Sequence, residues 1–278
     1  MKISMIVSQI GYFSILLYGN EAKQPVHSPE VFRGLVTTLH GVFKDSSLPA
    51  RCRGRITGHL GKNCAPRAGA FSTDVLDGWV EKLQQLGDQK FARFELFGPV
   101  WKPGQHPLIY AAIDRLHDIF PCVSQDGTEA GASNCVTLAV HNSLFTDSWR
   151  RMETTAKQLV SFNAAFYGYL NPSDAWDFEV GGGFRTRMMD IRFRDTLAYM
   201  YQHHQRRLTD YIPDLYEGNL LSISHFAPGG MQAMREAGAL VAEWPNQLTY
   251  VRLPADPQAD KAFRARVLNW FNVVTEGA

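Results

Sequence analysis

The sequence lacks an excess of either charge. Its 28 lysines and arginines balance 27 aspartates and glutamates, which gives a formal net charge of +1. This balance excludes a global electrostatic attraction to nucleic acid or to an anionic membrane, and leaves only local patches of one sign. Hydrophobic residues make up 45% of the 278 residues and aromatic residues 12%, so the chain can build a substantial buried core.

The sequence also lacks the short motifs that mark common catalytic and nucleotide-binding sites. The run Gly61–Asn63 has no serine or threonine to hold magnesium, so it fails as a phosphate-binding loop. The run Gly131–Cys135 has no glycine at its last position, so it fails as a nucleophile elbow. Gly181–Gly183 lacks the spacing of a dinucleotide fingerprint and predicts a tight turn. We therefore expect no cofactor and no catalytic residue.

Cysteine and histidine occur without metal-binding spacing. No Cys-x-x-Cys pair exists among the four cysteines, which are Cys52, Cys64, Cys122 and Cys135. Their spacing is compatible with two local disulfides, but a chain of this length does not need such cross-links. We therefore predict reduced thiols and no structural metal. His204 and His225 fall on apolar faces of predicted elements, a position more typical of core histidines than of ligands or catalytic bases.

The first eighteen residues are apolar and allow two interpretations. Gln9 and Gly11 interrupt the run, no small-x-small cleavage site follows it, and it is shorter than the ~20 residues that span a bilayer. These features favour a strand pair or one bent strand, with Gly11 at a bulge or turn. An export signal is the alternative, and we expect a cytoplasmic protein.

The first half of the chain predicts helices and one strand around an irregular segment at 46–73. Ser28 and Pro29 are typical of a helix start, and an apolar stripe follows them at Phe32, Leu35, Val36, Leu39 and Val42. Further helices are predicted over Asp74–Leu86 and Leu108–Phe120. The residues Phe91–Phe97 alternate between apolar and charged, which predicts a half-buried strand.

The second half predicts more strands and helices. Alternation predicts strands at Val136–Val140, Asn219–Phe226 and Leu248–Leu253. Apolar residues spaced three and four apart predict three helices. Their apolar stripes are Trp149, Met152, Ala156, Leu159 and Phe166 in the first helix, Met189, Phe193, Leu197, Met200 and Leu208 in the second, and Phe263, Val267, Trp270 and Val274 in the third. Asp147 caps the first of these helices, which ends near Asn171 and Pro172, and Asp256 opens the last. We predict an α+β fold in one domain over 1–278, with possible sub-lobes at 1–130 and 131–278.

Two segments are candidate binding surfaces. A predicted loop at 171–187 combines aromatic rings with both charges, a mixture typical of interface anchors, in Trp176, Asp177, Phe178, Glu179, Arg185 and Arg187. The alternative for its rings is packing on the core. The segment Arg51–Arg67 carries five positive charges and no acid, which suits phosphates or an acidic partner. The alternative there is a solvated loop.

The segment Tyr216–Pro254 reads as strand, Gly-Gly turn, short helix and strand. Its Gly218–Ser222, Gly229-Gly230 and Leu248–Pro254 resemble the end block of the type VI secretion immunity family, with Glu217 in place of the usual tryptophan. Asn134–Pro172 resembles the preceding part of that family.

The resemblance implies a protein that is not an enzyme and that binds a cognate effector toxin in the bacterial cytoplasm. Because the family is often paired with nuclease effectors, it also implies a nuclease as the partner. Two other hypotheses are an enzyme whose site is assembled without a motif, and a nucleic-acid binder that uses residues 51–67. The absence of motifs and the balanced charge favour the effector-binding protein, with no nucleic acid or membrane as partner.

Overall fold

The computed structural model describes residues 11–21, 23–45, 52–58, 67–86, 91–98, 107–116, 133–145, 147–173, 176–181, 185–190, 208–212, 214–257 and 260–273. Its strands are β1 Tyr12–Asn20, β2 Arg53–Gly58, β3 Arg67–Ala70, β4 Phe91–Gly98, β5 Ile109–Leu116, β6 Ser133–His141, β7 Ala165–Ser173, β8 Trp176–Gly181, β9 Arg185–Asp190, β10 Gly218–Leu221, β11 Leu240–Trp244 and β12 Leu248–Arg252. Its α-helices are α1 Pro29–Asp45, α2 Leu76–Leu86, α3 Ser148–Phe162, α4 Gly230–Glu236 and α5 Lys261–Val267. None of these helices is long and apolar enough to span a membrane.

Ten strands form one antiparallel sheet in the order β11-β12-β10-β7-β1-β6-β5-β4-β2-β3. β1 lies inside the sheet, where Tyr12 is opposite His141 of β6 on one side and Ser173 of β7 on the other. Together with the helices, this sheet confirms the predicted α+β class. The proposed single domain with sub-lobes stays a prediction.

One face of the sheet packs against α1, α2 and α3. Successive residues of a strand point to opposite faces, so alternate residues of each strand meet this helical layer. Asp147 caps α3 as predicted, because its carboxylate accepts a hydrogen bond of 3.3 Å from the backbone N–H of Arg150. The core at this interface includes Ile15, Leu17, Phe32, Leu35, Trp79, Phe94, Leu138, Met152 and Leu159.

The other face packs against α4 and α5 where it is formed by β1, β7, β10 and β12. This second core includes Leu16, Tyr167, Tyr169, Tyr216, Met234, Val251, Phe263, Val267 and Phe271. A Gly-Gly turn brings α4 close to the C-terminal segment. Gly229 has a φ of +75°, and a Cβ on Gly230 would lie 2.1 Å from the carbonyl oxygen of Trp270. Both positions therefore require glycine.

The same face carries buried ion pairs where it is formed by β2, β4 and β5. Arg55 donates to Glu95 at 2.5 Å, and the hydroxyl of Tyr110 donates to the same carboxylate at 3.0 Å. Arg93 pairs with Asp114 directly across β4 and β5. A shift of one residue in this register would bury these charges without partners, so the ion pairs help to specify how the strands align.

Two of the predicted helices cover residues that lie in strands β5 and β7. Leu108–Phe120 was expected to be helical, but 109–116 forms β5. The helix after Asp147 was expected to reach Asn171 and Pro172, but α3 ends at Phe162, and Phe166 lies in β7. Both strands are buried on their two faces, so polar and apolar residues do not alternate along them.

Other boundaries also differ from the prediction. The segment at 46–73 contains β2 and β3, Met189 lies in β9 rather than a helix, and the strand expected over Asn219–Phe226 ends at Leu221 before a 3₁₀ turn. The last helix is capped by Asp260 rather than opened by Asp256. Phe193, Leu197, Met200 and Val274 lie outside the described residues. The expected α1, α2, β4, β6 and β12 are confirmed, and Tyr12–Asn20 forms a strand.

Candidate partner-binding surface

The binding loop predicted from the sequence is a β-hairpin. β8 and β9 pair with each other in a two-stranded sheet, separate from the ten-stranded sheet, and Glu179 lies opposite Arg187. In the same register Trp176 lies opposite Asp190 and Phe178 lies opposite Met188. Arg185 is opposite Gly181 at the turn end. The role of the hairpin in partner binding stays a prediction.

The basic segment Arg51–Arg67 is less available to phosphate than its composition suggests. Arg55 lies on β2 with its side chain 16% exposed, and the carboxylate of Glu95 neutralises it. Arg53 is exposed on the same strand, and Arg67 begins β3. Arg51 and Lys62 lie outside the described residues. The pairing of Arg55 weakens the case for a nucleic-acid site here.

A second surface, absent from the sequence analysis, surrounds Arg252 on β12. The guanidinium carbon of Arg252 lies 4.1 Å from the centroid of the Trp149 ring on α3. Its nitrogens lie 3.7 Å from a carboxylate oxygen of Glu153 and 3.6 Å from one of Glu217. The hydroxyl of Tyr250 donates to Glu153 at 2.6 Å. We call these five residues the Arg252 cluster.

The Arg252 cluster carries more negative than positive charge, because Glu153 and Glu217 share one guanidinium. Burial raises the pKa of Glu217; Arg252 acts to lower it and Asp256 to raise it. The side chains of Arg252, Glu153 and Glu217 are 36%, 27% and 20% exposed, so a partner can reach all three. Partly exposed arginine and tryptophan are residue types on which protein interfaces commonly depend.

Gly218 and Asn219 of β10 help to build this surface. A Cβ on Gly218 would lie 3.1 Å from the Trp149 ring, so glycine lets that ring lie against β10. The side chain of Asn219 accepts from the backbone N–H of Tyr216 at 3.1 Å and donates to the carbonyl of the same residue at 2.7 Å. Asn219 thus fixes the turn that presents Glu217. The Gly-Asn pair was the sequence signal that could have led to the cluster.

His225 has a structural role, as the sequence analysis predicted. It is fully buried; its Nε2 donates to the carbonyl of Leu208 at 2.7 Å, and its Nδ1 accepts from the backbone N–H of Ser222 at 3.0 Å. Burial lowers the pKa of His225 to about 4, so the ring is neutral at physiological pH. His204 lies outside the described residues.

The described cysteines are poor nucleophiles. Cys52 and Cys135 are buried free thiols, and burial raises the pKa of each to about 12. Cys64 and Cys122 lie outside the described residues. Among the residues that the structure describes, no three His, Cys, Asp or Glu side chains meet to form a metal site.

A similar fold is found in a solved structure of another protein. No family model matches the chain, and no curated protein matches it. A structure described as Pseudomonas aeruginosa T6SS protein PA0821 is similar, with a TM-score of 0.57 and 9% sequence identity. The match covers 90% of this chain and 68% of that one. At this identity the likeness shows a shared fold.

Proposed function

We propose that this protein binds a type VI secretion effector toxin in the bacterial cytoplasm and neutralises it in a stoichiometric complex. The observation that carries the proposal is the fold likeness to the type VI secretion protein PA0821 over 90% of the chain. The resemblance of Tyr216–Pro254 to the immunity family supports it independently. That segment forms β10, α4, β11 and β12 and supplies three members of the Arg252 cluster.

Inhibition in this proposal rests on binding rather than turnover. The β8–β9 hairpin and the Arg252 cluster are its two candidate contact surfaces. The uncompensated carboxylate of the Arg252 cluster favours a basic contact on the effector, and nuclease active sites that hold phosphates carry such groups. The balanced net charge argues against mimicry of a nucleic acid over the whole surface. We therefore favour a local, shape-matched contact that blocks the active site of the effector.

Co-expression tests the function. The effector to test is the product of a toxin gene that sequencing finds next to the gene for this protein. Expressed alone in a bacterial host, it should stop growth, and co-expression of this protein should restore growth. The two proteins should also co-purify in a fixed ratio. Restored growth without a complex would contradict stoichiometric binding, and a complex without restored growth would contradict neutralisation.

Two variants distinguish the contact surfaces. Arg252→Ala removes one anchor, for which we expect a loss of ~2 kcal/mol of binding energy, about 30-fold in Kd. Arg235→Ala removes an exposed arginine on α4 and is the matched control. The double variant Trp176→Ala/Phe178→Ala tests the hairpin in the same titration. Each variant needs a melting temperature near wild type, since a large drop would place the altered side chains in the core.

A further inference from the structure

β11 is the terminal strand of the ten-stranded sheet. It pairs with β12 in an unbroken antiparallel register, from Leu240 opposite Arg252 to Trp244 opposite Leu248. Within the described part of the chain, no strand pairs with its other side. The backbone N–H and C=O groups on that side form an edge on which another strand can add.

The composition of β11 does not protect this edge. Its sequence Leu-Val-Ala-Glu-Trp contains one charged residue, Glu243, and neither lysine nor proline. Its pairing with β12 contains no bulge. Leu240 is 54% exposed and is one of three large exposed hydrophobic residues in the described ranges. Exposed sheet edges usually carry lysine, proline or a bulge, which prevent pairing. Their absence leaves the edge open to pairing with another strand.

We propose that a second copy of this chain covers the edge, with the two β11 strands antiparallel around a two-fold axis at Ala242. Full overlap in this register pairs all five residues of each strand. Leu240 then lies opposite Trp244 of the second copy, and Val241 lies opposite Glu243. The one charge on each strand therefore lies opposite an apolar residue, and the two Glu243 side chains are diagonal neighbours rather than directly opposite each other.

The same register continues the apolar layer from one copy to the next. Ala242 is opposite Tyr250 across β11 and β12, and Trp244 stacks on the ring of Tyr250 with centroids 4.6 Å apart. Residues directly opposite each other share a face of the sheet, so Leu240, Ala242 and Trp244 lie on the α3 side. Two-fold pairing places these apolar residues of one copy beside those of the other. It also limits the assembly to a dimer, because each copy uses its only β11 edge.

Light scattering after size exclusion tests the assembly with the protein alone. The wild type should have twice the 31.3 kDa mass of one chain. Leu240→Lys places a lysine at the interface and should weaken the dimer at least about tenfold in Kd. The fold tolerates this lysine because Glu153 and Glu217 lie close to the cross-strand neighbour Arg252.

Ile223→Lys is the control, because Ile223 is 72% exposed outside β11. This variant should remain a dimer. A monomeric wild type, or a Leu240→Lys dimer as tight as the wild type, would overturn the proposal. A monomeric wild type whose Leu240→Lys variant loses effector binding would also overturn it, and would assign the edge to the effector.

Cross-linking tests the register. Ala242→Cys brings two thiols together at the axis, where Cβ atoms of opposite residues are about 5 Å apart. Mild oxidation should then give a covalent dimer on a non-reducing gel. Leu240→Cys is the matched control, because its two thiols would be about 14 Å apart along the strands. Cross-linking of Leu240→Cys as efficient as that of Ala242→Cys, or of wild type under the same oxidation, would refute the register.

Neither test depends on the proposed function. Loss of effector neutralisation would leave the dimer in place, and a monomeric protein could still bind an effector.

Discussion

The buried ring of His225 should make the protein sensitive to mild acid. Its Nε2 and Nδ1 both have backbone partners, and burial lowers its pKa from 6.5 to about 4 in the folded protein. In the unfolded chain the same ring titrates near its ordinary pKa of about 6.5. Between these two values the unfolded state binds more protons than the folded state. The stabilisation is therefore complete above about pH 6.5 and is lost as the pH falls toward about 4.

The size of this effect follows from the two pKa values of His225. Lowering the pH from 7 to 5 should remove about 2 kcal/mol from the free energy of unfolding, and the limit near pH 4 and below is about 3 kcal/mol. Since domains of this kind have stabilities of about 5–15 kcal/mol, the loss is a large fraction of the total.

Urea denaturation of the wild type and His225→Gln at the two pH values isolates this contribution. Glutamine cannot titrate, and its amide can still donate and accept hydrogen bonds. The variant should be less stable than wild type at neutral pH, yet should lose about 2 kcal/mol less on acidification. Losses equal to within about 0.5 kcal/mol would refute the reasoning. A proton titration of the ring near its ordinary pKa would refute it too.

Three further predictions test the packing. Asp114→Ala leaves Arg93 buried without its cross-strand partner and should cost about 3–5 kcal/mol in urea denaturation, whereas the isosteric Asp114→Asn should cost less. Gly230→Ala places a Cβ 2.1 Å from a backbone oxygen and should lower the free energy of unfolding by about 2 kcal/mol or more. Gly41→Ala on helix α1 is the control: no atom outside this helix lies within 4 Å of the added Cβ, so it should be neutral or raise the free energy of unfolding by up to about 1 kcal/mol. The thiol of Cys52, whose pKa burial raises to about 12, should react with a thiol reagent only on unfolding; fast reaction in the native protein would contradict its burial.

An element of this fold was predictable from the sequence where the residues that determine it are adjacent in the chain. The starts of α1 and α3 were predictable because Ser28-Pro29 and Asp147 lie next to the helices they begin. Strands β5 and β7 were not, because both faces of each are buried and the polarity pattern disappears. The Gly218-Asn219 pair marks the place of the Arg252 cluster, but its full set of residues was not predictable, since they are distant in sequence and meet only when α3 packs over β10 and β12.

The position of β1 inside the sheet has a consequence for biosynthesis. Ser14 donates a hydrogen bond to the carbonyl of Asn171, which lies 157 residues later in the chain. At about 5–20 residues per second, the ribosome needs roughly ten seconds or more to make that partner after β1 appears. Until β6 has been made, both edges of this almost entirely apolar strand are exposed, and the edge that pairs with β7 stays exposed for the rest of the interval. The nascent chain is therefore vulnerable to misassociation at β1, and this segment is where a chaperone should engage it.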